Sequence, residues 1–247
     1  MSPPLTRDSV ADWSKGLARE IIRPRRLTRC LRMKANLADF ASDLAKELQL
    51  PEWDLEANTE ANGGRVIVYE GDLVSRPDIY KQLSSEALDL GNYPIDLLAC
   101  VPPSLVVNST EAQYSKPGEV LSKHGCSIWD GVSRDVRQHY PTDRNALRLV
   151  QYDSCRGLEG WTVINYLFDE FWEHKIKLSM NSGIDEKDLF LTEEEIAIKS
   201  ASQWCMIPVT RAMDTLVLNL SNKNSAIKDA LSRIYNRRSD YVQWIKI

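Results

Sequence analysis

Between two apolar runs, Leu147 to Val150 and Thr162 to Phe168, lies the polar stretch Gln151-Tyr152-Asp153-Ser154-Cys155-Arg156-Gly157-Leu158-Glu159-Gly160-Trp161. A nucleotide site requires backbone N–H groups and cations aimed at phosphate oxygens, with a carboxylate suited to a ribose hydroxyl. Here Arg156 supplies a cation, Gly157 allows the backbone to approach a phosphate, Leu158 anchors the turn in a core and Glu159 can accept from a ribose. About forty residues beyond the second run stands Val209-Thr210-Arg211-Ala212. A guanidinium is planar and permanently charged, and one directed at a γ-phosphate stabilises the charge that spreads over a phosphoryl group in transfer.

Elements of defined kinds must position these groups. From Ala35 the apolar residues Leu37, Phe40, Ala41, Leu44, Ala45 and Leu48 keep the spacing of a helix with one buried stripe, and Leu50-Pro51 ends it. Arg65 to Tyr69 and Ile95 to Cys100 read as strands, the second stopped by Pro102-Pro103, with a helical pattern between Pro77 and Leu90. Gly118 to Lys123 reads as a helix closed by Gly125, ahead of a short strand from Cys126 to Trp129. Thr192-Glu193-Glu194-Glu195 has the form of a capping box and starts a helix running toward Arg211, followed by a strand over Thr215 to Leu220 and a closing helix over Ile227 to Tyr235. Short apolar strands alternating with helices predict an α/β fold of three layers, a mostly parallel sheet with helices on both faces.

With these elements in place, Arg156 to Glu159 and the phrase Ala201 to Ala212 resemble the fifth and sixth motifs of UvrD/Rep-type superfamily 1 helicases. Upstream, Leu27-Thr28-Arg29-Cys30-Leu31-Arg32 before an amphipathic helix is similar to the fourth. The match runs over residues 27–220 in the family's order and implies the second RecA-like domain, at 27–247, behind a basic N-terminal arm at 1–26. It further implies that Arg32 is a second γ-phosphate contact beside Arg211. Ser104, Asp153 and Ser154 fall where the family touches single-stranded DNA, with RNA left open as the track. The chain departs from the family at Cys30-Leu31, where Asn-Tyr is usual, at Asp153 for His, at Arg156 for Lys and at Pro208 for a small residue. Phosphate-facing positions are kept while base-facing and strand-facing ones drift.

No G-x-x-x-x-G-K-[ST] occurs in the 247 residues, so no loop here cradles the β- and γ-phosphates. Val163 to Glu170 imitates a Walker B strand, but it follows the fifth motif, and Asp169 and Glu170 are expected to be loop or helix N-terminal carboxylates. The resemblance therefore implies ATP bound in a cleft against a first RecA-like domain that carries the Walker loops and most of the Mg²⁺ contacts. That partner belongs to the same full-length protein or to a separate subunit. The alternative is a degenerate, non-catalytic module that binds a partner protein or nucleic acid.

Composition sets the outer bounds. With 31 Lys and Arg against 35 Asp and Glu, the net charge of −4 excludes wholesale coating of nucleic acid, yet residues 1–34 hold nine basic against three acidic side chains. No apolar run reaches the roughly 18 residues of a membrane span, and Met1-Ser2-Pro3-Pro4 does not open a secretory signal, so a cytoplasmic protein is expected. The cysteines Cys30, Cys100, Cys126, Cys155 and Cys205 lie far apart with no C-x-x-C, which predicts reduced, mostly buried thiols and no metal site.

Overall fold

The computed structural model describes residues 30–53, 55–110, 112–181 and 191–247. The basic segment at 1–26 and the first part of the fourth-motif match, Leu27 to Arg29, lie outside them. In chain order the elements are α1 (Ala35–Glu47), β1 (Arg65–Glu70), α2 (Pro77–Asp89), β2 (Leu97–Val101), β3 (Val106–Asn108), β4 (Gln113–Ser115), α3 (Lys116–Lys123), β5 (Ser127–Asp130), α4 (Arg134–Arg137), β6 (Ala146–Gln151), β7 (Gly160–Asn165), α5 (Phe168–Asn181), α6 (Glu193–Val209), β8 (Ala212–Leu220), α7 (Ala226–Arg237) and β9 (Val242–Lys246). Seven strands form one sheet in the order β5-β6-β2-β7-β8-β1-β9, every pair parallel, and β3 and β4 make a separate antiparallel hairpin.

A parallel sheet must be covered on both faces, and the strand alternation shows how this one is. Val66 and Val68 of β1, Leu98 and Cys100 of β2 and Leu216 and Leu218 of β8 join Phe40 and Leu44 of α1, Phe171 of α5, Cys205 of α6 and Leu231 of α7 in one core. The intervening residues Ile67, Ala99, Leu149, Ile164 and Val217 point the other way, onto Ile79, Tyr80 and Leu83 of α2 and Leu121 of α3. The result is the three-layer α/β architecture consistent with a RecA-like domain. The α1 stripe is buried as its spacing predicts, at Leu37, Phe40, Ala41, Leu44 and Ala45. The box at Thr192 and Glu195 forms reciprocally at the start of α6.

Two elements carry no clear pattern in the sequence. In β9 only Val242 is buried, since it is an edge strand held to β1 on one side. The Thr162 to Phe168 run is not one strand: β7 stops at Asn165, Leu167 turns the chain at φ 45°, and α5 begins at Phe168. Asn219 fixes that turn by accepting from Leu167 N at 3.2 Å and donating to Gly71 O at 2.9 Å.

The connection most relevant to the site is the segment 152–159, which joins the carboxyl end of β6 to the amino end of β7 on the far side of β2 with only a single 3-10 turn, Tyr152–Ser154, and no α-helix. It crosses the whole height of the sheet. Tyr152 tethers its start by donating to Tyr166 O at 2.9 Å and stacking on Phe171 with ring centroids 4.0 Å apart, and Cys155 is fully buried in its middle. Gly160 at its end is closely packed: a Cβ there would lie 3.0 Å from Thr162 O and 3.1 Å from Asp96 O and Leu98 Cβ, so any side chain would have to push the neighbouring strand region aside.

Candidate functional site

Arg32, Glu159 and Arg211 come together at the amino ends of β7 and β8. The Cys30 to Lys34 segment is laid across this edge by backbone bonds from Cys30 N to Glu56 O at 2.9 Å and from Lys34 N to Met213 O at 3.0 Å, and by the Lys34–Asp214 ion pair. From it Arg32 donates through Nη2 to Thr210 O at 2.7 Å and lies 3.4 Å from Glu159 Oε2 through Nη1. Its Nε is buried with no acceptor.

Arg211 follows α6 directly and turns back onto it. Its Nε donates to Ile207 O at 3.1 Å, Nη2 to Thr210 Oγ1 at 3.2 Å, and Nη1 reaches Leu158 O at 3.5 Å. Thr210 Oγ1 in turn donates to Met206 O and Ile207 O at 3.0 Å. A helix leaves its last carbonyls without partners, and here two side chains satisfy them, beyond a last turn that already contains Pro208. Burial first and the Arg32 charge second hold the Arg211 guanidinium below its ordinary value. Beside the Lys34–Asp214 pair, two guanidinium groups thus face one carboxylate, Glu159, among the described residues.

Arg156 and Gly157 sit apart from this cluster, exposed on the crossing segment. The Arg156 guanidinium lies 5.4 Å from the Trp204 ring centroid. Gly157 has φ 84° inside a turn closed by Leu158 N to Cys155 O at 3.0 Å, so the turn itself demands a glycine, and the space its Cβ would occupy is open. The strand-contact candidates lie near the opposite end of the sheet. Asp153 is 2.5 Å from Lys175 Nζ, a lysine buried with its ammonium 3.9 Å from the Trp204 ring centroid. Ser154 Oγ accepts from Arg137 Nη1 at 2.7 Å, and Ser104 Oγ donates to Glu170 Oε2 at 2.9 Å.

Asp169 and Glu170 occupy the first turn of α5, as helix N-terminal carboxylates. Asp169 is buried and accepts from Ser221 N at 3.1 Å and from Ser221 Oγ at 2.5 Å, which ties α5 to the end of β8. Cys100, Cys155 and Cys205 are buried free thiols, and burial pushes the Cys100 and Cys205 thiols well up. Among the described residues no group of three or more His, Cys, Asp or Glu is placed to hold a metal, and no helix is long and apolar enough to cross a membrane.

Sequence reasoning missed Arg148. It stands inside the apolar strand β6 on the face the crossing segment covers, and donates through Nη2 to Glu159 O at 2.6 Å. A lone charge inside an otherwise apolar run was the available signal. Thr210, which links Arg32 to Arg211, was visible only as part of a motif.

Fold and edge together define a three-layer α/β domain whose cations gather at the amino ends of its central strands. No family model matches the chain, and no curated protein matches it. Among solved structures it is similar to the C-terminal domain of a possible DNA helicase from Lactobacillus plantarum WCFS1, at 13% identity over 87% of this chain and 99% of that one, with a TM-score of 0.40. That likeness is too loose to assign a fold or a function.

Proposed function

We propose that this chain is the second RecA-like domain of a UvrD-like, ATP-dependent DNA helicase or translocase. The observation that carries the reading is the meeting of Arg32, Glu159 and Arg211, which are 127 residues apart between Arg32 and Glu159 and come from the three segments that resemble the family's fourth, fifth and sixth motifs. Nothing in local structure requires those segments to converge. ATP would lie against this edge, with Arg32 and Arg211 toward the γ-phosphate and Glu159 toward the ribose, while Arg156 and Gly157 form the outer rim. Mg²⁺ would fall to the first domain with the Walker loops, since among the described residues Glu159 is the one carboxylate hydrogen-bonded within the cluster. Closure of the cleft on ATP, alternating with grip on a single strand near Ser104, Asp153 and Ser154, would convert hydrolysis into stepping.

For such an arginine the contact strengthens mainly in the transition state. In the two-domain motor, Arg211→Ala is expected to lower DNA-stimulated kcat by about 10³ or more with a smaller change in nucleotide affinity, and Arg32→Ala to act in the same sense. Equal turnover with and without Arg211 would sink the reading. A second reading, a non-catalytic helicase-like module, is favoured by the three hydrogen bonds that fold Arg211 onto Ile207, Thr210 and Leu158. Under it, Arg211→Ala lowers folding stability and leaves turnover alone.

A further inference from the structure

Beside the arginine cluster the amino edge holds a second feature, a cavity of about 490 Å³ lined by Tyr140, Trp161, Asp96, Arg148 and Glu159 among others. Its chemistry is mixed in a particular way. Arg148 is half-buried, its Nε has no acceptor, and among the described residues it makes no ion pair; its one hydrogen bond runs to the Glu159 carbonyl. Burial holds its guanidinium below the ordinary value, with Asp96 the largest opposing influence. The buried Nε is out of a ligand's reach, so a ligand acceptor in the cavity would meet the guanidinium through its terminal nitrogens. Asp96 stands across the cavity with one carboxylate oxygen accepting from Tyr93 N at 2.8 Å. Two aromatic residues complete the lining: Tyr140 is 83% exposed, and Trp161 carries the Lys34 ammonium 5.0 Å from its ring centroid.

A donor fork, a carboxylate acceptor and flat aromatic surfaces suit a planar heterocycle that carries acceptors beside N–H donors on its rim. A bare phosphate would find Asp96 and Glu159 against it. The cavity also borders the proposed nucleotide path, because Glu159, which lines it, faces Arg32 with its side chain and Arg148 with its carbonyl. We propose that this cavity receives the purine base of the nucleotide whose phosphates face Arg32 and Arg211, with Arg148 and Asp96 on the base's hydrogen-bonding edge and Tyr140 or Trp161 on its face. The assignment rests on the nucleotide reading above.

Ligand-observed NMR on the full chain, titrated separately with ATP and with CTP, tests it, since the two share ribose and triphosphate. ATP is expected to bind about tenfold tighter than CTP, the range of one base–aromatic stack. Tyr140→Ala, at an exposed position that the fold does not need, and Arg148→Met should each remove most of that preference. Binding of ATP that is weakened by Arg32→Ala, yet shows no purine preference or keeps it in both variants, overturns the base site and leaves the nucleotide reading standing. Absence of ATP binding, or binding indifferent to Arg32→Ala, overturns both.

Discussion

The two ends of the sheet manage their polar groups in opposite ways. At the carboxyl end Asp169 is engaged by Ser221, Glu170 is shared between Ser104 and Lys223, Glu70 holds Lys228 and Trp244, and Asn219 braces two backbone segments, at Leu167 and at Tyr69 to Gly71. At the amino end Lys34 is paired with Asp214, but Arg32 and Arg211 share one carboxylate, and among the described residues Arg32 and Arg148 each keep a buried Nε without an acceptor. Open parallel sheets usually bind ligands at their carboxyl ends. Here Asp169, Glu170 and Glu70 at that end are already engaged by neighbouring side chains, whereas the proposed nucleotide edge lies at the amino end.

The strongest attack on that contrast is Asp169→Ala. If Asp169 is a lock between α5 and β8, its loss leaves the partly buried Ser221 donors without their acceptor and should cost about 2 kcal/mol, read by urea unfolding. A variant that keeps its stability and instead loses nucleotide binding would return the Walker B look-alike to the chemistry.

Glu70 sharpens the same point through pH. Its hydrogen bond from Lys228 first, opposed by burial and supported by Trp244, holds the carboxyl below its ordinary 4.5. The folded protein therefore keeps Glu70 ionised where the unfolded chain would protonate it. That contribution to stability is complete above about pH 4.5 and is lost as pH falls through the lower folded value. Glu70→Gln should flatten the stability profile in that acid window and change little of its shape at neutral pH, in thermal melts run across pH 3 to 7.

Asn165 is an exception at the carboxyl end. It is fully buried at the last position of β7, and neither its side-chain oxygen nor its nitrogen has a partner. Asn165→Leu is expected to raise stability by about 1 kcal/mol in urea titrations, because a nearly isosteric apolar group removes an unmet desolvation cost. Destabilisation of that size would mean the amide is satisfied and the two ends differ less than drawn.

The smallest stability effect belongs to the amino edge. Arg32 is one-third exposed and its ion pair with Glu159 spans 3.4 Å, so Arg32→Ala should change unfolding free energy by less than about 1 kcal/mol while weakening ATP binding in the same preparation. A large loss of stability without a binding change would make Arg32 a brace.

Local pattern carried the sheet and most of its helices. The i, i+3, i+4 stripe of α1, the box at Thr192 and the apolar strands all follow from side-chain periodicity and capping, which depend on near neighbours. Elements with little to bury were illegible: β9 contributes one buried residue, and the hairpin β3–β4 has three residues a strand. The α5 start was hidden because Val163 to Phe168 is apolar but for Asn165, and the break after Asn165 is set by Asn219, distant in sequence.

For the site the division is similar. The residue types alone gave two arginines, a glycine turn and a glutamate in an order suited to phosphate and ribose, and the sequence by itself determined that Gly157 must sit in a turn. Only the tertiary structure decided that segment 152–159 climbs the whole sheet, and so divides the motif it carries. Asp153 and Ser154 remain near the carboxyl end while Glu159 arrives at the amino end beside Arg32. Tertiary structure alone also turned Arg211 onto its own helix terminus and set Arg148 beneath Glu159. The physical reason is that each of these facts depends on which strands are neighbours in β6-β2-β7-β8, an order fixed by packing between residues far apart in the chain and invisible to any local period.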